Sequence, residues 1–145
     1  MSRLPKILLA EDSEKDIELT IEAFQENKLS NEVVVVRDGQ EALDFLYCKG
    51  NYKDRIKENP CVVFLDLKMP RIDGLEVLQQ IKKDPHLKRI PIVVLTSSKM
   101  ESDLIKSYDY GANAYVAKPV DFNAFVEVVK QLGAFWGVLN VPPVQ

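Results

Sequence analysis

Five short apolar runs recur along the chain, and their spacing constrains the fold more than any other feature. They are Ile7-Leu8-Leu9-Ala10, Val33-Val34-Val35-Val36, Val62-Val63-Phe64-Leu65, Ile92-Val93-Val94-Leu95 and Ala114-Tyr115-Val116-Ala117. Val33–36 is entirely β-branched, and the unbroken apolar run at 62–65 reads as a strand covered on both faces. Helical patterns separate the runs. Ile17, Thr20, Ile21 and Phe24 recur at helical spacing after Ser13, a candidate N-cap. Residues 41–47, 74–82, 102–108 and 121–132 carry similar patterns; Gly111 is placed to end the fourth, and Asp121 to cap the fifth. Five strands alternating with five helices predict an α/β fold with a five-stranded parallel sheet. Right-handed crossovers put helices on both faces, giving a three-layer sandwich in the flavodoxin-like order 2-1-3-4-5.

At 145 residues the chain is expected to form one main domain. The expected division is a domain over 1–133 and a C-terminal extension over 134–145. A net charge of −3 argues against a nucleic-acid partner, whose binding domains usually carry a basic face. The mixed-sign stretch Lys49 to Glu58 reads as part of a solvated surface loop running to Pro60. No apolar stretch approaches the roughly 20 residues of a membrane span. The start offers only four apolar residues before Glu11-Asp12, too few for a signal peptide. Cys48 and Cys61 form no CxxC and read as small hydrophobes in a reducing compartment. A cytoplasmic location is therefore expected.

In an open α/β sheet, ligands bind outside the carboxyl ends of the strands. Here those ends carry Glu11-Asp12 after the first run, Asp66 after the third, Thr96-Ser97-Ser98 after the fourth and Lys118-Pro119 after the fifth. Each has an ordinary structural reading. An aspartate before a loop is commonly a turn residue, the Glu11-Asp12 pair suits the start of the first helix, and a lysine is by default exposed. Together they converge on one pocket. Three neighbouring carboxylates either protonate or hold a cation. An all-oxygen donor set selects a hard ion, with Mg²⁺ first and Mn²⁺ as a substitute. Lys118 can pair with Asp66 and with an added anion, and Thr96 supplies a hydroxyl. Ser97 is small enough to leave access, and its amide can donate to a phosphoryl oxygen. This set suits phosphoryl transfer with Asp66 as nucleophile.

From Lys6 to about Leu132 the chain resembles the receiver domains of two-component response regulators. The resemblance rests on Glu11-Asp12, Asp66 with Lys68-Met69-Pro70 and Asp73-Gly74, Thr96-Ser97, Tyr115 and Lys118-Pro119, in order. It implies that Asp66 is the phosphoacceptor for a histidine kinase. Asp12, Asp66 and the Lys68 carbonyl would ligate Mg²⁺, with Glu11 acting through a metal-bound water. Many receivers have aspartate where this chain has Glu11, and the longer arm suits that indirect role. The resemblance further implies a cis bond at Pro119, which X–Pro bonds permit at small cost. Thr96 and Tyr115 would form a switch pair read out on the fourth helix, fifth strand and fifth helix. The expected activity is phosphate acceptance with slow self-hydrolysis, not turnover of an outside substrate. A phosphorelay intermediate or chemotaxis-type relay receiver is the alternative. An aspartyl-nucleophile phosphohydrolase would need a second aspartate where Lys68 stands. A nucleotide- or flavin-binding protein would need a phosphate-cradling loop where Glu11-Asp12 stand, and the intact acidic site argues against a pseudo-receiver.

The C-terminal run from Gly133 to Pro143 adds Phe135, Trp136, Val138 and Leu139. Trp136 and Leu139 continue the stripe of Phe122, Phe125 and Val129, while Val128, Phe135 and Val138 fall on another face. Two apolar faces on one helix suggest a partner surface, the alternative being a tail folded back on its own sheet. With the loop before the third strand, this tail resembles stand-alone regulators paired with bacterial phytochromes, those of cyanobacteria above all. That resemblance implies a homodimer with Phe135, Trp136 and Val138 as contacts.

Overall fold

The computed structural model describes residues 4–96, 109–117 and 122–136. Five strands form one sheet: β1 (Ile7–Ala10), β2 (Val33–Val36), β3 (Val62–Asp66), β4 (Ile92–Thr96) and β5 (Ala114–Ala117). All are parallel, in the expected order β2-β1-β3-β4-β5. Helices α1 (Glu14–Glu26), α2 (Gly39–Tyr47) and α3 (Gly74–Lys83) follow the first three strands, and a C-terminal helix spans Phe122–Trp136. The helix expected over 102–108, and the cap expected at Asp121, lie outside the described residues.

The pleat divides the strands between two cores, because successive side chains point to opposite faces. On one face Leu8, Ala10, Val63, Leu65, Ile92 and Val94 pack against α2 and α3 through Leu43, Phe45, Val77, Leu78 and Ile81. On the other, Ile7, Leu9, Val62, Phe64, Val93 and Leu95 meet Ile17 and Phe24 of α1 and Phe125 and Val129 of the C-terminal helix. Phe24 and Phe64 pack with ring centroids 5.0 Å apart. The Asn27 amide joins α1 to the C-terminal helix, donating to the Ala23 and Val126 carbonyls at 2.9 and 3.0 Å.

Each of the first three helices starts on a side-chain cap. Ser13 accepts from the Asp16 amide at 3.4 Å, Asp38 from Glu41 at 2.7 Å and Asp73 from Glu76 at 2.9 Å. These oxygens satisfy amides that have no partner inside the helix. The Asp38 cap explains why α2 begins at Gly39, ahead of the expected Glu41. The C-terminal helix continues past the expected Leu132 and through Gly133 to Trp136. One interior glycine costs only about 1 kcal/mol, too little to stop a helix whose neighbours favour it.

The loop expected over 49–60 is more ordered than its charge pattern suggested. It opens with a 3₁₀ turn at Gly50–Tyr52. Arg55 then donates to the Phe45 carbonyl through Nε at 3.0 Å and Nη2 at 2.6 Å, with its guanidinium 3.9 Å from the Phe45 ring centroid. Tyr52 packs edge-on against the same ring and donates to Glu41 Oε2 at 3.0 Å. The loop is thereby fastened to α2.

Candidate functional site

Parallel register places the acidic residues side by side. Ala10 of β1 lies opposite Leu65 of β3, so Glu11 and Asp66, one residue further on, emerge at the same level. The Glu11 amide donates to the Val36 carbonyl at 2.9 Å, keeping it in line with the sheet edge. Carboxylate oxygens of Glu11, Asp12 and Asp66 all lie within 4.8 Å of one another. Glu11 is wholly buried, Asp66 is 5% exposed and Asp12 faces solvent.

Local hydrogen bonds orient the carboxylates. The Ser13 amide donates to Glu11 Oε2 at 3.2 Å, and the Lys68 amide to Asp66 Oδ1 at 3.1 Å. Burying carboxylates beside one another is unfavourable unless positive charge offsets it. Their oxygens are hard donors, close enough for a divalent cation to bridge, and the opening at Asp12 leaves room for the waters that Mg²⁺ or Mn²⁺ retains. The acidic trio therefore fits such an ion.

Two close backbone approaches shape the loop between Asp66 and α3. A Cβ on Gly74 would stand 2.2 Å from the Asp66 carbonyl oxygen and 2.7 Å from Leu67 Cα. The Gly74 amide donates to the Leu67 carbonyl at 3.0 Å. On the outer side, a Cβ on Gly39 would stand 1.8 Å from the Ile72 carbonyl oxygen. The Arg71 Nη2 donates to Asp38 Oδ1 at 3.0 Å, the oxygen that also caps α2. Burial pushes the Asp38 carboxyl up, but the Glu41 amide and Arg71 outweigh it and hold it below its ordinary value. Sequence reasoning missed Gly39, Asp38 and Arg71; the only signal was a second Asp-Gly pair, Asp38-Gly39, matching Asp73-Gly74.

Thr96 ends β4 opposite Ala117, and Tyr115 pairs with Val94, so the two expected switch residues sit on adjacent strands. Tyr115 is half-buried and packs against the α2–α3 core. Ser97, Lys118, Pro119 and Val138 lie outside the described residues. Phe135 and Trp136 lie in the last turn of the C-terminal helix. Among the described residues, no helix is long and apolar enough to cross a membrane.

Comparison with known proteins agrees with this fold. A family model described as "response regulator receiver domain" matches residues 7–130. Response regulator Rcp1 of Synechocystis sp. is 40% identical over 136 residues, covering 93% of this chain and 91% of that one. A structure of the Mn²⁺-bound form of Rcp1 superposes with a TM-score of 0.81 at 38% identity, covering 97% of this chain and 99% of the other. The bacteriophytochrome response regulator RtBRR gives 0.82 at 55% identity, covering 97% and 85%. The phosphorylated cyanobacterial phytochrome response regulator RcpA gives 0.83 at 41% identity, covering 98% and 100%.

Proposed function

This chain belongs to the response regulator receiver domain family, and on that premise we propose that it carries a two-component signal by accepting a phosphoryl group on Asp66. The observation that carries the proposal is the buried Asp66 carboxylate at the end of β3, with Glu11 and Asp12 oxygens within 4.8 Å. A histidine kinase would supply the group. An Asp66 oxygen attacks phosphorus, the P–N bond to the kinase histidine breaks, and the imidazole leaves with its bonding pair. The product is an acyl phosphate on this chain, and hydrolysis by water later restores the carboxylate and releases inorganic phosphate.

Asp12, Asp66 and the Lys68 carbonyl would hold Mg²⁺, and Glu11 would hold one of its waters. When bound, the ion supplies charge neutralisation on the phosphoryl oxygens. The Lys68 amide fixes the Asp66 rotamer, and the Ser13 amide fixes Glu11. By family resemblance, Lys118 would pair with the phosphoryl group and Ser97 would donate its amide. Thr96 then moves toward the phosphoryl oxygens and Tyr115 turns inward. A phosphoryl group that bonds better in one of two states shifts the population toward it.

The names of the relatives support a bacterial phytochrome as the kinase. A homodimer through the fourth helix, the fifth strand, the fifth helix and the tail, with Phe135, Trp136 and Val138 as contacts, would agree with the apolar pattern of the C-terminal sequence. The protein acts as a cytoplasmic phosphoacceptor and not as a turnover enzyme.

The test is incubation with a small phosphodonor and Mg²⁺, read by intact mass. One phosphoryl group per chain is expected, lost in Asp66→Ala. Phosphorylation that survives the substitution overturns the assignment.

A further inference from the structure

The loop from Leu67 to Asp73 carries two groups on which the site depends, the Lys68 amide on Asp66 Oδ1 and the Lys68 carbonyl proposed for the metal. Its inner side is held by main-chain packing against Gly74. Its outer side rests on the first turn of α2. The Gly39 amide donates to the Pro70 carbonyl at 3.4 Å, the Ile72 carbonyl lies where a Gly39 Cβ would stand, and Arg71 donates to Asp38. Ile72 also packs its side chain against the α2–α3 core, and Arg71 adds an ion pair to that apolar contact.

Arg71 has a φ of 66°, in the left-handed region that disfavours any residue with a Cβ. Glycine or asparagine would occupy it at lower cost. An arginine kept in a strained position points to a use for its side chain. That side chain reaches a carboxyl oxygen already fixed by the Glu41 amide at 2.7 Å, so the loop is tied to a rigid helix start. Only Met69 and Pro70 separate Arg71 from Lys68.

We propose that Arg71 and Asp38 are positioning residues for the metal site, their ion pair holding the loop so that the Lys68 main chain faces Asp66 and the cation. The inference rests on the proposed Mg²⁺ site and goes beyond it, because neither residue is a ligand. It requires a coupling between Arg71 and Mg²⁺ that a purely structural ion pair would not have.

Calorimetric titration of Mg²⁺ into wild type, Arg71→Gly, Arg71→Lys, Asp38→Asn and the Arg71→Gly/Asp38→Asn double variant tests it. Arg71→Gly relieves the positive φ while removing the tie, so weaker metal binding cannot be ascribed to added strain. Asp38→Asn keeps a capping oxygen while removing the charge. Both single variants are expected to bind Mg²⁺ about two- to fivefold more weakly, the span of exposed ion pairs. The double variant should be no weaker than either single one, and Arg71→Lys should recover part of the loss. The ratio to wild type should shrink toward one at about 1 M salt, where charges are screened within ~3 Å. In the metal-free protein, hydrogen exchange at the Gly39 amide should quicken in Arg71→Gly. Unchanged Mg²⁺ affinity in Arg71→Gly, or additive losses in the double variant, overturns the inference while the metal site stands. A wild type that binds no Mg²⁺, or an Asp12→Ala variant that binds it equally well, overturns the proposed site and this inference with it.

Discussion

Gly74 lies against the main chain of Asp66 so closely that an added Cβ would meet the Asp66 carbonyl oxygen at 2.2 Å. The first residue of α3 therefore sets how tightly that helix docks behind the acidic residue. Neither backbone can yield as a flexible side chain would. Gly74→Ala is expected to destabilise the fold by about 1–3 kcal/mol, the usual cost of forcing atoms into a packed region. Urea denaturation measures the loss, and phosphodonor labelling should slow in the same variant because Asp66 shifts with its main chain. Wild-type stability and labelling would contradict this packing.

Arg55 is expected to matter more than its place in a charged loop suggests. Its guanidinium satisfies the Phe45 carbonyl twice and lies over the Phe45 ring. Arg55→Ala removes charge-assisted hydrogen bonds to the Phe45, Ile56 and Glu58 carbonyls and a cation–π contact. The expected loss is about 1–3 kcal/mol, with faster proteolysis confined to residues 49–60. Limited digestion followed by mass mapping checks the location.

Tyr52 should titrate late. Burial raises its phenol first, and the Glu41 hydrogen bond with the charges of Glu41 and Asp44 adds to it, to about 12. An unfolded tyrosine ionises near ~10. The fold favours the neutral phenol, so this contribution to stability is fully present below pH 10. It is lost as pH rises from there through the folded value. Tyrosinate absorbance should show one group ionising last, and Tyr52→Phe should remove that step.

Mg²⁺ should stabilise the chain, because the cation offsets repulsion among Glu11, Asp12 and Asp66. At a hundredfold excess over its Kd the gain is about 2.7 kcal/mol, and roughly 5–10 °C in Tm for a domain of this size. Asp12→Ala should abolish the response. The same variant should melt above metal-free wild type, since one of three mutually repelling carboxylates is gone. Melting curves with and without Mg²⁺ decide both points.

The parts of the site that were legible in the sequence sit at strand ends. Asp66 and Glu11 directly follow apolar runs that read as strands, and a parallel ladder brings such ends together. The tie between Asp38 and Arg71 was not legible, because it spans 33 residues and joins polar side chains that obey no period. The C-terminal helix was placed over 121–132, and the apolar stripe running on to Trp136 was the signal for the extra turn that the structure carries.

By itself the sequence determined a five-stranded parallel α/β sheet and an acidic edge on it, because burial on alternate faces must be written into each strand locally. Only the tertiary structure decided how the loop behind Asp66 is held, why Gly39 and Gly74 admit no side chain, and that residues 49–60 are fastened to α2. Those features arise where two elements distant in sequence meet at backbone contact. Their spacing is set by how closely whole elements pack, which no local pattern encodes.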